Sequence, residues 1–579
     1  MPPRPSSPDP ARSDSPEAPE LDRVEQEAFP RLDARLIARL GRHGHEEATE
    51  AGEVLFAEGD RDFDFFVVLD GTVDIVEHSD GTETRVTTHA AGEFSGDVDM
   101  LTGRASLVTA RVCEPGRVLR ITAEALRHVL SADPELSDVL LRGFLMRRRL
   151  LREGGFTGLK VIGPEADRDT FRLLELFSRN HVPHTWLEPD AESARALMAG
   201  LHLDAPRLPL VVHRNETVLE NPSNEEMARH VGLDVAVRTS GIYDLVVVGA
   251  GPAGLAATVY AASEGLRTLS LEAVGAGGQA GTSSRIENYL GFPAGLSGTE
   301  LAERAVIQAL KFRAQIAVPV RARALEREDG CLCVHLQDGR QVRGRAVVLA
   351  TGARYRKLAL PRIEALEGRG IYYAATDLEA RLCEGDTVVV VGAGNSAGQA
   401  ATFLARRARR VLLVVRGEGL EASMSSYLVE RLQAEPQVEI RLRSRVVGLE
   451  GGTEVEAVRI ARVEDDPGAG PEVGGARGGP EERVECSALF VFVGADPFTR
   501  WLPASIARDR DGFVLTGKDA TEAVAGTEVP SGSLLPLETT WPGVFAAGDV
   551  RHGSVKRVAA AVGEGSMVVQ LVHQHLARG

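Results

Sequence analysis

Two glycine-rich turns are the parts of this sequence whose residue types and spacing could do chemistry. The first, GAGPAG at residues 249–254, follows a valine-rich run and precedes small residues at helical spacing, which predicts a buried strand, a tight turn and a helix. Gly249 permits the turn, Gly251 lets a diphosphate approach the main chain, and Gly254 lets the helix pack against the strand. Free N–H groups at the helix N-terminus attract phosphates. The pattern therefore predicts a dinucleotide site.

The first turn is also followed by an acidic residue at the position expected in a dinucleotide-binding fold. Glu272 follows a second apolar run, Thr268–Leu271, where such folds place a carboxylate on a ribose 2′-hydroxyl. A glycine turn alone would be weak evidence, but here the strand, turn, helix, second strand and acid are all in register.

The second turn lies within residues 387–400, which read TVVVVGAGNSAGQA. Gly392, Gly394 and Ala397 take the three small-residue positions, so this segment also predicts a dinucleotide site. Arg416 follows the next apolar run. An arginine there can pair with the 2′-phosphate of NADP, whereas an acid favours NAD.

The chain that positions these turns has 579 residues, enough for three or four domains. Its formal net charge of −17 argues against nucleic acid as a partner. No apolar run is long enough to span a membrane, and five cysteines without a CxxC pair fit a reducing cytoplasm. No His/Cys cluster has metal-ligand spacing, so we predict no metal site.

The N-terminal part begins with residues 1–22, which are rich in proline, serine and acids and are predicted to be disordered. Residues 23–152 contain short alternating strands separated by turns, which predicts an antiparallel roll. The predicted strands are Glu53–Phe56, Phe65–Leu69, Thr72–Val76, Arg85–Thr88 and Arg117–Ile121, and the predicted helices are Ala123–Ser131 and Pro134–Leu151.

The stretches FDFFVVLDGTVDIV and GEFSGDVDMLTGRASLVTA make this roll resemble a cyclic-nucleotide-binding domain. The resemblance implies a ligand pocket at Gly96, Asp97, Arg104 and Ser106. Asp97 replaces the family's glutamate, and Ser106 replaces its phosphate-binding arginine, for which Arg104 could substitute. Two interpretations stay open: a cyclic-nucleotide site, or a degenerate sensor or docking module.

Residues 156–234 predict strands and helices in the order βαβαβ…α. With Leu208-Pro209-Leu210 opening the third strand, the segment resembles a thioredoxin-like domain, which implies a cis peptide at Pro209. The loop after the first strand, Gly163–Thr170, has no cysteine, and thiol–disulfide exchange needs a thiolate there. We therefore expect a structural or docking role.

From about residue 240 onward, the motifs GAGPAG, GGQ, ENYLGFP, VVLATG and FAAGDV occur in this order. The set resembles the low-molecular-weight thioredoxin reductase family, which implies FAD and NADPH, or NADH, in two nested Rossmann-like domains. The implied FAD contacts are Gly249, Gly251, Pro252, Ala253, Glu272, Gly278, Gln279, Asn288, Gly352, Gly548, Asp549, Arg557 and Val558, where Val558 replaces a family glutamine. The implied NAD(P) contacts are Gly392, Gly394, Asn395, Ser396, Ala397 and Arg416; only Arg416 of the NADP signature is kept, and Glu418 adds a repelling charge.

The redox centre departs from this family. Its Cys-Ala-Thr-Cys aligns with residues 374–377, so Ala374 and Asp377 occupy the two cysteine positions. Neither side chain can form a disulfide or a thiolate. We therefore expect an FAD-dependent NAD(P)H oxidoreductase of thioredoxin-reductase type without its own dithiol. Its electrons would pass from NAD(P)H through FAD to an unidentified acceptor: a protein carrier, a quinone, oxygen or a disulfide.

Two other interpretations stay open. The chain could be a redox- or nucleotide-sensing regulatory flavoprotein with little turnover, or a thioredoxin-disulfide reductase that uses Cys331, Cys333 or Cys383. The resemblance also implies a homodimer. The expected fold class is multidomain: a β-roll with helices, a small α/β thioredoxin-like domain, and two nested Rossmann-like domains. The predicted boundaries are 1–22 for the tail, 23–152 for the roll, 156–234 for the thioredoxin-like domain, 240–360 with 491–579 for FAD, and 361–490 for NAD(P).

Overall fold

The computed structural model describes residues 27–578, with gaps at 62, 80–81, 97–98, 107, 154–158, 165–166, 181, 204, 214–216, 234–236, 238, 240, 284, 329, 464–480 and 524–533. The predicted tail, 1–22, therefore lies outside the described residues. The chain divides into two compact units. The first takes in residues up to 160 with 181–185 and 212–218, and the second takes in 161–180, 186–211 and 219–579.

The first unit contains an antiparallel roll. Its strands are β1 (His45–Thr49), β2 (Val54–Phe56), β3 (Phe65–Ser79), β4 (Thr82–His89) and β5 (Thr109–Ile121), and its helices are α1 (Ala34–Leu40), α2 (Asp99–Thr102), α3 (Ala123–Ala132) and α4 (Pro134–Glu153). The strand order is β1-β5-β3-β4, and β2 also pairs with β5. The rings of Phe65, Phe94 and Phe144 fill its core with centroids 5.6 to 6.3 Å apart, so burial of aromatic surface stabilises the roll.

One predicted turn in the roll is wrong. We expected two strands, Phe65–Leu69 and Thr72–Val76, separated at Asp70-Gly71, whereas β3 runs through both. The register against β5 shifts on both sides of Asp70, Gly71 has φ +82°, and a Cβ there would lie 2.5 Å from the Glu114 carbonyl oxygen. The glycine therefore forms a bulge inside one long strand. Because β5 pairs along this strand, it also starts well before the predicted Arg117.

A buried histidine ends β4. The ring of His89 lies 5.8 Å from that of Phe29, and its Nδ1 lies 3.8 Å from Oε2 of Glu93. Burial lowers the pKa of His89 to about 4; Glu93 opposes this shift and the Arg147 charge adds to it. The folded roll therefore keeps this imidazole neutral at mildly acidic pH.

We expect the roll to lose stability as the pH falls from 6.5 toward about 4. In that window the unfolded chain binds a proton on His89 that the folded roll does not, which costs on the order of 3 kcal/mol at the acidic end. Hydrogen-exchange protection of β3 peptides measures this loss. The wild-type protein is compared with a His89→Gln variant at each pH, so that the intrinsic exchange rate cancels. A difference between the two proteins that does not change with pH would contradict the prediction.

A small α/β domain follows. Its strands are β6 (Leu159–Ile162), β7 (Thr185–Leu187), β8 (Leu210–His213) and β9 (Thr217–Glu220), and its helices are α5 (Arg168–Arg179), α6 (Glu192–Gly200) and α7 (Asn224–His230). The sheet order is β7-β6-β8-β9. The predicted βαβαβ…α order is confirmed, with β9 as an addition, and the Leu208–Pro209 peptide is cis as expected.

The rest of the chain is built around two nested sheets, of which the first is mixed and the second is parallel. The strands are β10 (Ile242–Val248), β11 (Thr268–Leu271), β12 (Gln315–Ala317), β13 (Ala322–Glu328), β14 (Cys331–Leu336), β15 (Gln341–Leu349), β16 (Ala353–Tyr355), β17 (Ile371–Tyr372), β18 (Thr387–Val391), β19 (Arg410–Val414), β20 (Val438–Arg441), β21 (Ser444–Glu450), β22 (Ala457–Arg462), β23 (Glu481–Glu485), β24 (Ala488–Val491), β25 (Ala495–Pro497) and β26 (Val544–Ala546). The helices are α8 (Pro252–Ser263), α9 (Gly298–Lys311), α10 (Asp377–Leu382), α11 (Asn395–Leu404), α12 (Ser426–Ala434), α13 (Gly517–Ala523) and α14 (Val558–Leu576).

The first of these sheets carries the first glycine turn. Its order is β12-β11-β10-β15-β14-β13, and β26 also pairs with β15. The strands β10, β11, β12, β15 and β26 run parallel, and apolar clusters cover both faces of the sheet. Burial on both faces explains why these strands read as continuous valine and leucine runs.

The second sheet carries the second turn and is wholly parallel, in the order β17-β24-β18-β19-β20. It is inserted in the chain between β16 and β25, which pair with each other. A three-stranded antiparallel sheet, β21-β22-β23, belongs to the same insertion. Among all the helices described above, none combines the length and the apolar character needed to cross a bilayer.

Candidate dinucleotide sites

The first glycine turn joins β10 to α8 as predicted. Gly249 has φ +107°, and a Cβ there would overlap the Ala350 carbonyl oxygen, while one on Gly254 would overlap the Gly249 carbonyl oxygen. Gly251 caps α8, and only the Gly278 Cα, at 3.7 Å, lies near its Cβ position. Two glycines are thus required by the turn itself, while Gly251 leaves open space in front of the helix N-terminus. Pro252 and Ala253 are the first two residues of α8.

Glu272 stabilises this turn through two hydrogen bonds to backbone N–H groups. One carboxylate oxygen accepts the Ala250 N–H at 2.8 Å, and the other accepts the Val274 N–H at 3.0 Å. A carboxylate has about four acceptor sites, so it can still accept a ribose hydroxyl. The predicted acid therefore also sets the shape of the glycine turn, a role the sequence does not reveal.

The segment after β11 lies against the turn. Gly278 has φ +54°, and a Cβ on it would lie 2.9 Å from the Gly251 Cα. The Gln279 amide donates to the Ala353 carbonyl oxygen. Asn288 is exposed in the following loop, and Gly352 has φ +64° with no atom within 4 Å of its Cβ position. Of these residues, Gly278 directly borders the open space in front of α8.

The last predicted motif, Gly548-Asp549, follows β26. A Cβ on Gly548 would lie 2.8 Å from the Ala253 Cβ, so this turn packs on the start of α8. Burial raises the pKa of the Asp549 carboxyl, Lys556 counteracts this, and Glu564 adds to it. Lys556 donates to the Asp549 carbonyl oxygen at 2.7 Å. Arg557 and Val558 begin α14, the former exposed and the latter half-buried.

Glu564 is a residue the sequence analysis missed. Its Oε2 accepts the Gly548 N–H at 2.7 Å, and it pairs with Arg551 at 2.5 and 3.2 Å. The two side chains are 12% and 19% exposed. An acid inside the apolar helix α14 was the available sequence signal, because a buried carboxylate needs a partner.

The second glycine turn joins β18 to α11. Gly392 has φ +147°, and a Cβ there would lie 2.5 Å from the Phe492 carbonyl oxygen. Gly394 caps α11 with no atom within 4 Å of its Cβ position. The Asn395 Oδ1 accepts the Ser425 N–H at 2.7 Å, and Ala397 is buried in the core of this domain. The helix N-terminus is again open, as a phosphate site requires.

Tyr355, on β16, links the two turns. Burial raises the pKa of its hydroxyl, a hydrogen bond with Ser396 opposes the shift, and the Asp549 charge adds to it. Ser396 is the second residue of α11, and Asp549 lies in the turn that follows β26. No sequence pattern distinguishes this tyrosine, because only the fold brings the two turns close to it.

Arg416 is exposed after β19. Glu418, expected to repel a 2′-phosphate, forms an ion pair with Arg443. Its charge is therefore compensated inside the protein, and the repulsion that the sequence suggested is reduced.

The positions of the family's cysteines lie beside the first site. Ala375 forms a parallel bridge with Ser283, four residues after Gln279; Ala374 is half-buried, and Asp377 begins α10. All five cysteines are free thiols. Cys383 donates to the Glu379 carbonyl oxygen at 3.0 Å, and burial raises the pKa of Cys486 to about 12. Cys331 and Cys333 lie on β14, Cys333 buried, and Cys113 is exposed.

The predicted pocket of the roll is described only in part, since Asp97 lies outside the described residues. The Gly96 carbonyl accepts from Arg147 at 2.7 Å. Ser106 is buried, and its hydroxyl donates to the Val108 carbonyl at 2.7 Å, so it serves the local loop. Arg104 is half-buried.

One cluster with metal-ligand geometry occurs in the described part of the chain: Glu326, Glu328 and His335 on β13 and β14, with ligand atoms within 4.8 Å of one another. Pairing of two strands brings it together, so residue spacing could not reveal it. Glu328 also lies 3.4 Å from the Cys333 thiol and 3.9 Å from Arg343. The cluster thus already has partners within the sheet.

Comparisons with known proteins agree with this geometry. The profile described as pyridine nucleotide-disulphide oxidoreductase matches residues 243–565, and that of the cyclic nucleotide-binding domain matches residues 46–133. A thioredoxin reductase of Treponema pallidum (strain Nichols) is 30% identical over 58% of this chain and 97% of its own length. One of Mycolicibacterium smegmatis is 31% identical over 56% and 93%. The solved structure of Lactococcus lactis thioredoxin reductase (FR conformation) aligns with a TM-score of 0.50 and 25% identity over 58% of this chain and 100% of that one.

The residues present fit FAD at the first turn, because Gly251 and Gly278 form a cradle that any side chain would fill. The second turn has the same open glycine for NADPH. The roll at the N-terminus is a cyclic nucleotide-binding domain. On the matched profile and relatives, the chain belongs to the pyridine nucleotide-disulphide oxidoreductase family as a thioredoxin-reductase-like, FAD-dependent enzyme.

Proposed function

We propose that this protein is an NAD(P)H oxidoreductase that works without a dithiol of its own and delivers electrons to a separate acceptor. The observation that supports the proposal is the Ser283–Ala375 bridge, which joins segment 374–377 to the chain just after Gln279. In that segment Ala374 and Asp377, which carry no thiol, stand at the two cysteine positions. A protein carrier, a quinone, oxygen or a partner's disulfide would take the electrons directly.

The FAD residues would be those of the first turn, with Glu272 on the ribose and Asp549 on a ribityl hydroxyl. The cofactor, when bound, supplies hydride acceptance from a nicotinamide and onward electron transfer. The N-termini of α8 and α11 would hold the two diphosphates, and the half-buried Asp549 would orient the first ligand. The proposed first-site contacts are Gly249, Gly251, Pro252, Ala253, Glu272, Gly278, Gln279, Asn288, Gly352, Gly548, Asp549, Arg557 and Val558.

For the second site we propose Gly392, Gly394, Asn395, Ser396, Ala397 and Arg416, with NADPH preferred over NADH. The support for this preference is the exposed guanidinium of Arg416 together with the Glu418–Arg443 pair, which leaves Arg416 as the available charge for a 2′-phosphate. Tyr355 lies next to Ser396 at this turn.

Anaerobic titration of the purified protein with NADPH tests the absence of a dithiol. We expect about one equivalent of NADPH to reduce each bound FAD completely, because no further two-electron centre is present. The measurement is the loss of flavin absorbance against added NADPH.

Consumption of about two equivalents would instead favour the thioredoxin-disulfide reductase interpretation, with Cys331, Cys333 or Cys383 as the thiols. Cys383→Ala and the double variant Cys331→Ala/Cys333→Ala would then show which pair stores the extra electrons. If neither NADPH nor NADH bleached the flavin, the oxidoreductase proposal would fail.

A second function, regulation by a cyclic nucleotide, is favoured by the profile match over residues 46–133 and by the bond from Arg147, on α4, to the Gly96 carbonyl. In this proposal Asp97 and Arg104 hold the ligand, beside Gly96 and Ser106. Calorimetry with cyclic AMP and cyclic GMP tests whether the roll binds either nucleotide. Turnover measured with and without the nucleotide that binds tests the regulation. No binding together with unchanged turnover would leave the roll as a docking module.

The domain boundaries given above, a homodimer and a reducing, cytoplasmic location remain proposals. The five free thiols support the location. Light scattering of the purified protein and fractionation of cells would test the last two.

A further inference from the structure

The C-terminal end of α5, in the α/β domain that has no cysteine, contacts the loop beside the FAD site. The Arg179 guanidinium donates to the carbonyl oxygens of Gly275 and Gly278, each at 3.1 Å. The Asn180 amide donates to the Val274 carbonyl at 2.7 Å. Asn180 is 3% exposed, so its bond forms largely away from water, and Arg179 is half-buried.

The approach is close because Gly275 has no side chain. A Cβ on Gly275 would lie 2.7 Å from the Arg179 Cβ. Arg179 is also held from its own helix by Glu175, at 3.6 Å. The guanidinium is therefore fixed between one carboxylate and two carbonyl oxygens, and bonds from a charged donor are stronger than neutral ones.

The anchored carbonyls belong to the peptides that shape the first turn. Gly278, whose φ is +54°, packs on the Gly251 Cα at the N-terminus of α8. The Val274 N–H donates to Glu272, which in turn accepts the Ala250 N–H. Arg179 and Asn180 therefore bind loop 274–278. This loop contacts Gly251, the N-cap of α8, and Glu272.

The other end of α5 is also fixed. Its capping residue, Asp167, lies 3.4 Å from Arg369, and the Phe171 ring lies 5.8 Å from that of Tyr372, in the core of the second dinucleotide domain. The helix α5 therefore has contacts at both ends, with loop 274–278 at one and with the second dinucleotide domain at the other.

We propose that Arg179 and Asn180 are positioning residues of the FAD site, supplied by the thioredoxin-like domain in place of thiol chemistry. The proposal rests on the assignment of FAD to the first turn. In this proposal α5 pre-forms the loop that the dinucleotide would contact, so less ordering is needed on binding.

Titration of the deflavinated full-length chain with FAD, followed by quenching of flavin fluorescence, tests the proposal. We expect Arg179→Met to weaken FAD binding about tenfold or more and Asn180→Leu by a similar factor. Arg179→Lys, which keeps the charge but not the two-pronged geometry, should fall between Met and wild type. Arg195→Met, an exposed arginine on α6 of the same domain, is the matched control and should bind FAD as wild type does.

A purely structural role of Arg179 would lower the melting temperature of the FAD-free chain and leave the FAD dissociation constant unchanged. That result overturns the proposal, as does equal weakening by Arg179→Met and Arg195→Met. Failure of the wild-type chain to bind FAD would instead refute the FAD assignment itself, so the two failures are distinguishable.

Discussion

Replacing Gly251 by alanine is expected to give a folded chain that has lost FAD. The backbone here has φ −74°, which alanine adopts freely, and the new methyl would meet only the Gly278 Cα at 3.7 Å. The methyl would, however, occupy the space through which a diphosphate approaches the α8 N-terminus. A clash of this size costs about 1–3 kcal/mol of binding, or roughly 10- to 100-fold in affinity.

Gly394→Ala is the matched variant at the second turn. No atom lies within 4 Å of its Cβ position, so it should fold and stay yellow but no longer be bleached by NADPH. Flavin content per chain and anaerobic NADPH reduction measure the two effects separately. Loss of flavin from Gly394→Ala, or its full retention in Gly251→Ala, would contradict the assignment of the two turns.

Replacing Glu564 by leucine is expected to lower the free energy of unfolding of the first dinucleotide domain by about 3 kcal/mol. The change leaves the largely buried Arg551 without its carboxylate and the Gly548 N–H without its acceptor. Urea unfolding followed by tryptophan fluorescence in a Trp186→Phe background reports on this domain, because the two remaining tryptophans, Trp501 and Trp541, pack against its core.

The double variant Glu564→Leu/Arg551→Met should recover part of that loss, since an apolar pair costs less than one unpaired buried charge. Glu522→Gln, which removes one partner of an exposed pair with Lys518, should change stability by less than about 0.5 kcal/mol. A double variant less stable than Glu564→Leu alone would show that the bond from Arg551 to the His552 carbonyl oxygen outweighs the cost of the unpaired charge.

Much of the two nested sheets could be predicted from the sequence. The glycine turns at 249–254 and 392–397 lie where the patterns placed them, because valine-rich strands buried on both faces and the steric needs of Gly249 and Gly392 are local properties. The cis peptide at Pro209 was inferred from a resemblance and is confirmed.

The contacts that shape the first site could not be predicted in the same way. Glu564 is 16 residues from Gly548, and Arg179 is 99 residues from Gly278, so only the folded chain brings them together. The bulge at Gly71 was mistaken for a turn because an Asp-Gly pair is the usual hairpin sequence; pairing along all of β5 decided the outcome.

The ribbon formed by β16 and β25 has a further consequence for protein engineering. Tyr355 and Ala495 are register partners in it, so the chain leaves for the inserted domain and returns from it at the same point. Residues 356–494 form a cassette with adjoining ends, which a short hairpin connection could replace. Excision would yield a minimal flavin carrier, and grafting a cassette from another reductase at the same junction would exchange the electron donor.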